Sequence, residues 1–378
     1  MAASQRFLAL DVFRGMTICF MIIVNTSGNG ATTFAPLMHA NWHGFTPTDL
    51  VFPSFLFAVG NAMSFVMAKW AALSQQQVLW KIIKRTFLIF LLGYLMYWFP
   101  FFHFEKELGW VFNPISHTRV LGVLQRIALC YGIASLMIYY LQPKWVLGST
   151  ILILVVYKFL LTGFGDLTLE GNAVLKLDKW LMGEEHLYHG EGIAFDPEGW
   201  LSTLPSIANV VFGYFAGSYI QQKSRPNETA AQGKKYEVLT HLLLAGFVMM
   251  VLAYFWDSSL PINKKLWTSS FVLYTVGLDL IILASIIYVI DILQKTKWTY
   301  FFQVFGKNPL FIYLLSEVGV IILFMIPVGN ESLYKWLYEQ VFSLAGAYTG
   351  AFLFAVWWML TCWIVGWWMD KKRIYVRV

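Results

Sequence analysis

Charge is scarce in this chain. Only 13% of its 378 residues are Asp, Glu, Lys or Arg, against 58% hydrophobic and 18% aromatic, with a mean hydropathy of +0.61. That leaves too little polar surface to coat a soluble globule of this length. Cysteine is scarcer still: Cys19, Cys130 and Cys362 all fall in apolar stretches with no CxxC or metal-type spacing, which makes them packing residues. No GxSxG elbow, Walker phosphate loop or GxGxxG turn occurs, so ATP hydrolysis and dinucleotide redox chemistry have no motif to rest on. A serine, histidine and aspartate triad stays open without its elbow. No internal repeat is visible, and the uneven loops argue against the inverted repeats of many transporters.

What the chain has instead is a series of apolar stretches, each long enough to cross about 30 Å of hydrocarbon. Barrel strands are shorter and alternate, so the expected fold is an all-α polytopic membrane protein embedded in the lipid bilayer. About ten transmembrane helices are predicted, near 8–26, 50–70, 84–102, 119–141, 144–162, 203–221, 239–256, 267–292, 304–327 and 349–369. The first is not a cleavable signal, because Asp11 and Arg14 interrupt its front and no small-residue cleavage site follows.

A cytoplasmic N-terminus puts about sixteen lysines and arginines inside, among them Arg6, Lys84, Arg85, Arg225, Lys234, Lys371 and Arg377, against about seven outside. Both N- and C-termini are then cytoplasmic. The pI near 9.0 reads as this topology signal, and no nucleic acid is expected as a partner. The whole of 1–378 is expected to form a single transmembrane domain with no separate soluble one. Its long outer loop, 163–202, either covers a binding site as a lid or packs on the bundle. The polar stretch 221–237, QQKSRPNETAAQGKKYE, reads as a solvated linker.

Ionisable groups inside spans cost several kcal/mol unless paired or solvated, so Asp11, Arg14, Arg126, Lys158, Asp279, Lys307 and Glu317 each need a reason. A polar path through the bundle is one, and interhelical salt bridges are the other. In the predicted topology six of the seven histidines face outward. The outer ends of the first two helices gather Asn25, His39, His43 and Asp49. A histidine there can take a proton from a nucleophile, a carboxylate can fix its tautomer, and an asparagine amide can donate to an oxyanion. Those are the parts of acyl transfer, although a loop histidine is more often an ordinary hydrogen-bonded surface residue. The i,i+4 spacing of His39 and His43 and the i,i+3 spacing of His186 and His189 also suit a metal, but Gly44 and Pro47 oppose a helix around residue 40 and no metal is expected.

LDVFRGMTICFMIIVNTSGNG followed by MHANWHGFTPTDLVFPSFLFAVG resembles the start of the transmembrane region of the heparan-alpha-glucosaminide N-acetyltransferase family. RVLGVLQRIALCYG, DPEGWLSTLPSIANVVFGYFAG and NKKLWTSSFVLYTVGLDL continue the resemblance in order, and GKNPLFIYLLSEV does so more loosely. The resemblance implies an acetyltransferase that moves the acetyl group of cytosolic acetyl-CoA, its co-substrate, to the amine of a glucosamine-type amino sugar across the membrane. It implies His39 as the catalytic histidine, with Asn25 beside it. Asp49, His43, Asp196 and Glu198 are then expected to bind the acceptor, and Arg126, Arg14 and Lys307 to meet the coenzyme. A histidine acting as general base and an acetyl-histidine intermediate both stay open. The acceptor is a heparan sulfate end or another exposed amino sugar. Without the family's additional luminal region, the chain is expected to be the bare bacterial core in an inner membrane, a homodimer by family analogy. The rival class is a secondary transporter that carries a small sugar or anion along the same polar path.

Overall fold

The computed structural model describes residues 7–70, 72–105, 109–223 and 231–376. Arg6, Arg225 and Arg377, counted toward the orientation, lie outside the described residues, as does 224–230 of the polar linker. Thirteen α-helices occur among the described residues: α1 Leu8–Asn25, α2 Val51–Trp70, α3 Gln75–Trp98, α4 Val123–Tyr140, α5 Pro143–Phe164, α6 Ala173–Met182, α7 Trp200–Lys223, α8 Ala231–Asp257, α9 Ser269–Ile287, α10 Thr299–Lys307, α11 Pro309–Met325, α12 Leu333–Leu337 and α13 Ala347–Lys371. Two short antiparallel hairpins, β1 Phe102–Glu105 with β2 Gly109–Phe112 and β3 Pro327–Val328 with β4 Glu331–Ser332, are the only paired strands among them.

Each stretch expected to span coincides with a helix or a helix pair. Seven are long and apolar enough to cross a bilayer, or eight if the bent pair α10 and α11 is one span. Two others, α3 and α7, run 24 residues each, about 36 Å at 1.5 Å per residue, but are more polar. The expected continuous span 304–327 is not one helix. The axis turns by 83° between α10 and α11. Pro309 explains the break: it disfavours helical geometry at the preceding residue, and Asn308 sits at φ −129°, ψ 53°.

The chain divides into two compact units, one of residues 1–40, 45–55 and 282–377, the other of 41–44 and 56–281 with the last residue. In the first, α1 packs on α10, α11 and α13. The α1 to α10 approach depends on Gly15, where a Cβ would lie 1.8 Å from the Phe302 carbonyl oxygen. Beyond α1 the chain is clamped by tyrosines: Tyr334 donates to the Ser27 carbonyl at 2.6 Å, and Tyr338 lies 3.3 Å from the Thr32 hydroxyl. Both rings belong to a small core with Ala351 and Phe354. These contacts fix the loop that follows Asn25.

In the second unit α4 packs on α3 and α7, and α7 also on α5, α6 and α8. Gly213 allows α7 to reach the backbone of Phe57, since a Cβ there would lie 2.1 Å from its carbonyl oxygen. Loop 163–202 carries α6, capped by Asn172, whose Oδ1 accepts from Leu175 N at 2.7 Å. It buries Ala173, Val174, Leu175 and Phe195 against Tyr157, Leu161, Leu260 and Leu266.

Candidate active site

In the first unit residues 36–40 and 45–50 are arranged around one buried carboxylate, Asp49. Pro47 opens a short helical turn, and Asp49 within it accepts from Thr46 N at 3.0 Å through Oδ2, as an acidic residue does at a helix start. The same Oδ2 accepts from Ala40 N at 3.1 Å, while the Thr46 hydroxyl reaches the Met38 carbonyl at 2.7 Å and the Thr48 hydroxyl the Pro36 carbonyl at 3.0 Å. These bonds tie both sides of residue 39 to the turn. The other carboxylate oxygen, Oδ1, lies 2.7 Å from His39 Nδ1. Asp49 is 1% exposed in its side chain and the His39 ring 44%. A carboxylate on Nδ1 holds the proton there and puts the ring's lone pair on Nε2. Asp49, expected to touch the acceptor, is buried with its Oδ1 against the His39 ring.

At the last residue of α1, Asn25 Nδ2 donates to Glu317 Oε1 of α11 at 3.2 Å. Glu317 was only one of several unexplained charges in the sequence, and this contact bridges 292 residues. The other intramembrane charges of this unit are paired within the protein. Arg14 bonds Asp11 at 3.0 Å, three residues away, and also the Gly306 carbonyl. Lys307 bonds both oxygens of Asp370 at 2.8 and 2.7 Å, an interhelical ion pair to which Tyr300 and Tyr375 add hydroxyl donors at 3.0 Å each. Both cations expected at the coenzyme are therefore already engaged by carboxylates of the chain.

His43 belongs to the second unit, apart from His39 in the division of the chain. Asn263 Nδ2 donates to its Nδ1 at 3.3 Å, so the ring carries its proton on Nε2. Burial lowers its pKa, with Asp257 pulling the other way, and this favours the neutral ring.

The DPEG turn before α7 is organised by Arg119, a residue the sequence reading passed over although it opens the quoted RVLGVLQR segment. Arg119 grips Asp196 with two bonds, Nε to Oδ2 at 2.8 Å and Nη2 to Oδ1 at 2.7 Å, and reaches Glu198 at 2.6 Å. Its guanidinium carbon lies 4.9 Å from the Tyr97 ring centroid and 4.8 Å from that of Tyr188. Burial lowers the Arg119 pKa, but Tyr97 and the two carboxylates outweigh it and hold it well above its ordinary value. Burial pushes Asp196 up, whereas Glu198, also raised by burial, is brought below its usual range by Arg119, Arg126 and Lys264. Asp196, expected at the acceptor, is fully buried in this ion cluster.

Arg126, fully buried on α4, stacks on the Trp267 ring at 4.8 Å and donates from Nη2 to the Pro197 carbonyl at 2.8 Å. Its Nε and Nη1 have no hydrogen-bond partner among the described residues. Trp267 itself has φ 51°, an uncommon conformation for a bulky side chain, and its indole donates to Asn209 Oδ1 at 3.1 Å. The NKKLW segment is thus folded to lay an aromatic face against Arg126.

The catalytic-region model of the heparan-alpha-glucosaminide N-acetyltransferase family matches residues 6–258. The chain belongs to this family. It is 27% identical to heparan-alpha-glucosaminide N-acetyltransferase of Mus musculus, over 84% of the chain and 54% of that protein, and 27% identical to the Homo sapiens protein of the same name, over 84% and 53%. The chain spans about half the length of these two relatives. The stretch matched by the family model contains Asn25, His39, Asp49, Arg119, Arg126, Asp196 and Glu198, whereas Glu317 lies beyond it.

One acid beside this cluster has a pH signature of its own. Asp178 of α6 accepts from Trp200 N at 2.9 Å through Oδ1, but its buried Oδ2 has no partner among the described residues. Burial raises its pKa from 3.8 to about 7, and Asp196 adds to the rise. A carboxyl raised on folding gives stability that is fully present below its unfolded pKa and lost as pH rises through 7. Asp178→Asn mimics the protonated form. It is expected to melt higher than the native chain at pH 8, by up to about 4 kcal/mol from a rise of about three units at 1.4 kcal/mol each, with the difference closing toward pH 4. Thermal melts in detergent across pH 4–8 check this.

Proposed function

We propose that this membrane protein transfers the acetyl group of acetyl-CoA to the amine of a glucosamine-type sugar, with the donor supplied on the cytoplasmic side, where both termini lie, and the acceptor on the far side. The observation that carries the reading is the 2.7 Å bond that aligns His39 on a buried carboxylate, in a chain of this family. The acceptor nitrogen attacks the thioester carbonyl carbon as His39 Nε2 takes its proton. The carbon–sulfur bond then breaks, and the departing thiolate receives that proton to leave as coenzyme A. An Asn25 N–H stabilises the oxyanion formed in between. A positioned base contributes about 10² to 10⁴ in rate and one oxyanion donor about 10² to 10³.

Arg126 is the cation we assign to the substrates, because Nε–H and Nη1–H remain as buried charged donors for a carbonyl or an anion. Arg14 and Lys307, already paired, support the helices that carry the site. The purified protein is expected to convert acetyl-CoA and glucosamine to N-acetylglucosamine, with coenzyme A released only when the amine is present. Label trapped on His39 without acceptor contradicts the direct step in favour of an acetyl-histidine. Uptake of labelled glucosamine into proteoliposomes lacking acetyl-CoA, with no acetylated product, contradicts the enzyme and makes the chain a transporter.

A further inference from the structure

Glu317 is the one ionisable residue in the 17-residue apolar helix α11. A carboxylate in a span costs several kcal/mol unless something compensates. The usual compensation is a cation, as Asp370 has in Lys307, but among the described residues no lysine, arginine or histidine pairs with Glu317. Its hydrogen-bond partner is a neutral amide, Asn25 Nδ2 at 3.2 Å. A single amide-to-carboxyl bond at an exposed position adds little stability, so stability does not explain it.

The chemistry of the pair does. An asparagine amide can present either its oxygen or its nitrogen to a given side, and the two are nearly the same size. The Glu317 carboxyl accepts through Oε1, which sets the amide with its nitrogen, and not its oxygen, toward α11. One N–H of Nδ2 is then committed to Glu317, and the second points away from it with the polarity an oxyanion needs.

We propose that Glu317 is the positioning residue for Asn25, holding its amide in the orientation that donates to the reacting oxygen. The inference rests on the oxyanion role given to Asn25 above. Glu317→Leu is expected to lower kcat by about 10² to 10³, the same as Asn25→Ala, with KM for acetyl-CoA and for the acceptor within about threefold of native. Glu317→Gln keeps an acceptor for Asn25 and is expected to recover kcat to within about tenfold of native. The Leu variant should melt no lower than the native protein, which separates positioning from a structural bond.

The double variant is the deciding measurement. If Glu317 acts through Asn25, adding Glu317→Leu to Asn25→Ala changes kcat no further. Two losses that multiply, or a Gln variant as inactive as the Leu one, contradict the inference while leaving the role of Asn25 intact. Full activity of Asn25→Ala alone contradicts the oxyanion role itself and removes the inference with it.

Discussion

Replacing His39 with alanine lowers kcat for acetyl transfer by about 10² to 10⁴, with KM for both substrates nearly unchanged, because the proton of the attacking amine loses its acceptor. The variant should fold, since the side chain is nearly half exposed and Asp49 keeps its backbone donors at Ala40 and Thr46. Asp49→Asn tests the same geometry from behind. An amide at Oδ1 can present an N–H to Nδ1 and drive the proton to Nε2, where it blocks the base. A large loss of kcat is therefore expected from a residue that touches no substrate. Steady-state kinetics on both variants check this, and an Asp49→Asn enzyme with native kcat contradicts the assignment of Nε2 as the base.

Replacing Arg119 with methionine is expected to destabilise the fold by about 3–5 kcal/mol. The arginine is the cation shared by Asp196, which is fully buried, and Glu198. Without it both carboxylates stay desolvated, and both move upward in pKa.

The size of that deficit should depend on pH. In the native protein Glu198, held below its usual value, contributes stability that is present above its unfolded pKa near about 4.3 and lost as pH falls through the folded value. In the variant the raised carboxyls give stability only while protonated, and lose it as pH rises. The deficit against native is thus expected to be greater at pH 8 than at pH 5, as read from thermal melts in detergent. A pH-independent deficit contradicts the ionic account of this turn.

Much of this was legible in the chain itself. Apolar run lengths placed every long helix, because a bilayer imposes length and composition on each segment separately. His39 and Asp49 were also readable together, ten residues apart in one loop, where Pro47 and Thr46 supply a helix start that calls for an acid at residue 49. The break at Asn308 was missed although Pro309 signalled it, because α10 and α11 together pass for one apolar run. What could not be read was long-range pairing. The Asn25 to Glu317 bond crosses 292 residues, and the Arg119 to Asp196 clasp crosses 77. A lone charge in a span announces that a reason exists without naming the partner. For the same reason Arg14 and Lys307 looked available for phosphates, although Asp11 and Asp370 hold them.

Sealed proteoliposomes containing the protein in one orientation test the central claim most directly, with acetyl-labelled acetyl-CoA on the side of the termini and glucosamine confined to the other. The account predicts labelled N-acetylglucosamine in the glucosamine compartment, coenzyme A retained with the donor, and neither product from the His39→Ala protein. Acetylation only when donor and acceptor share a compartment, or undiminished transfer by the alanine variant, contradicts it.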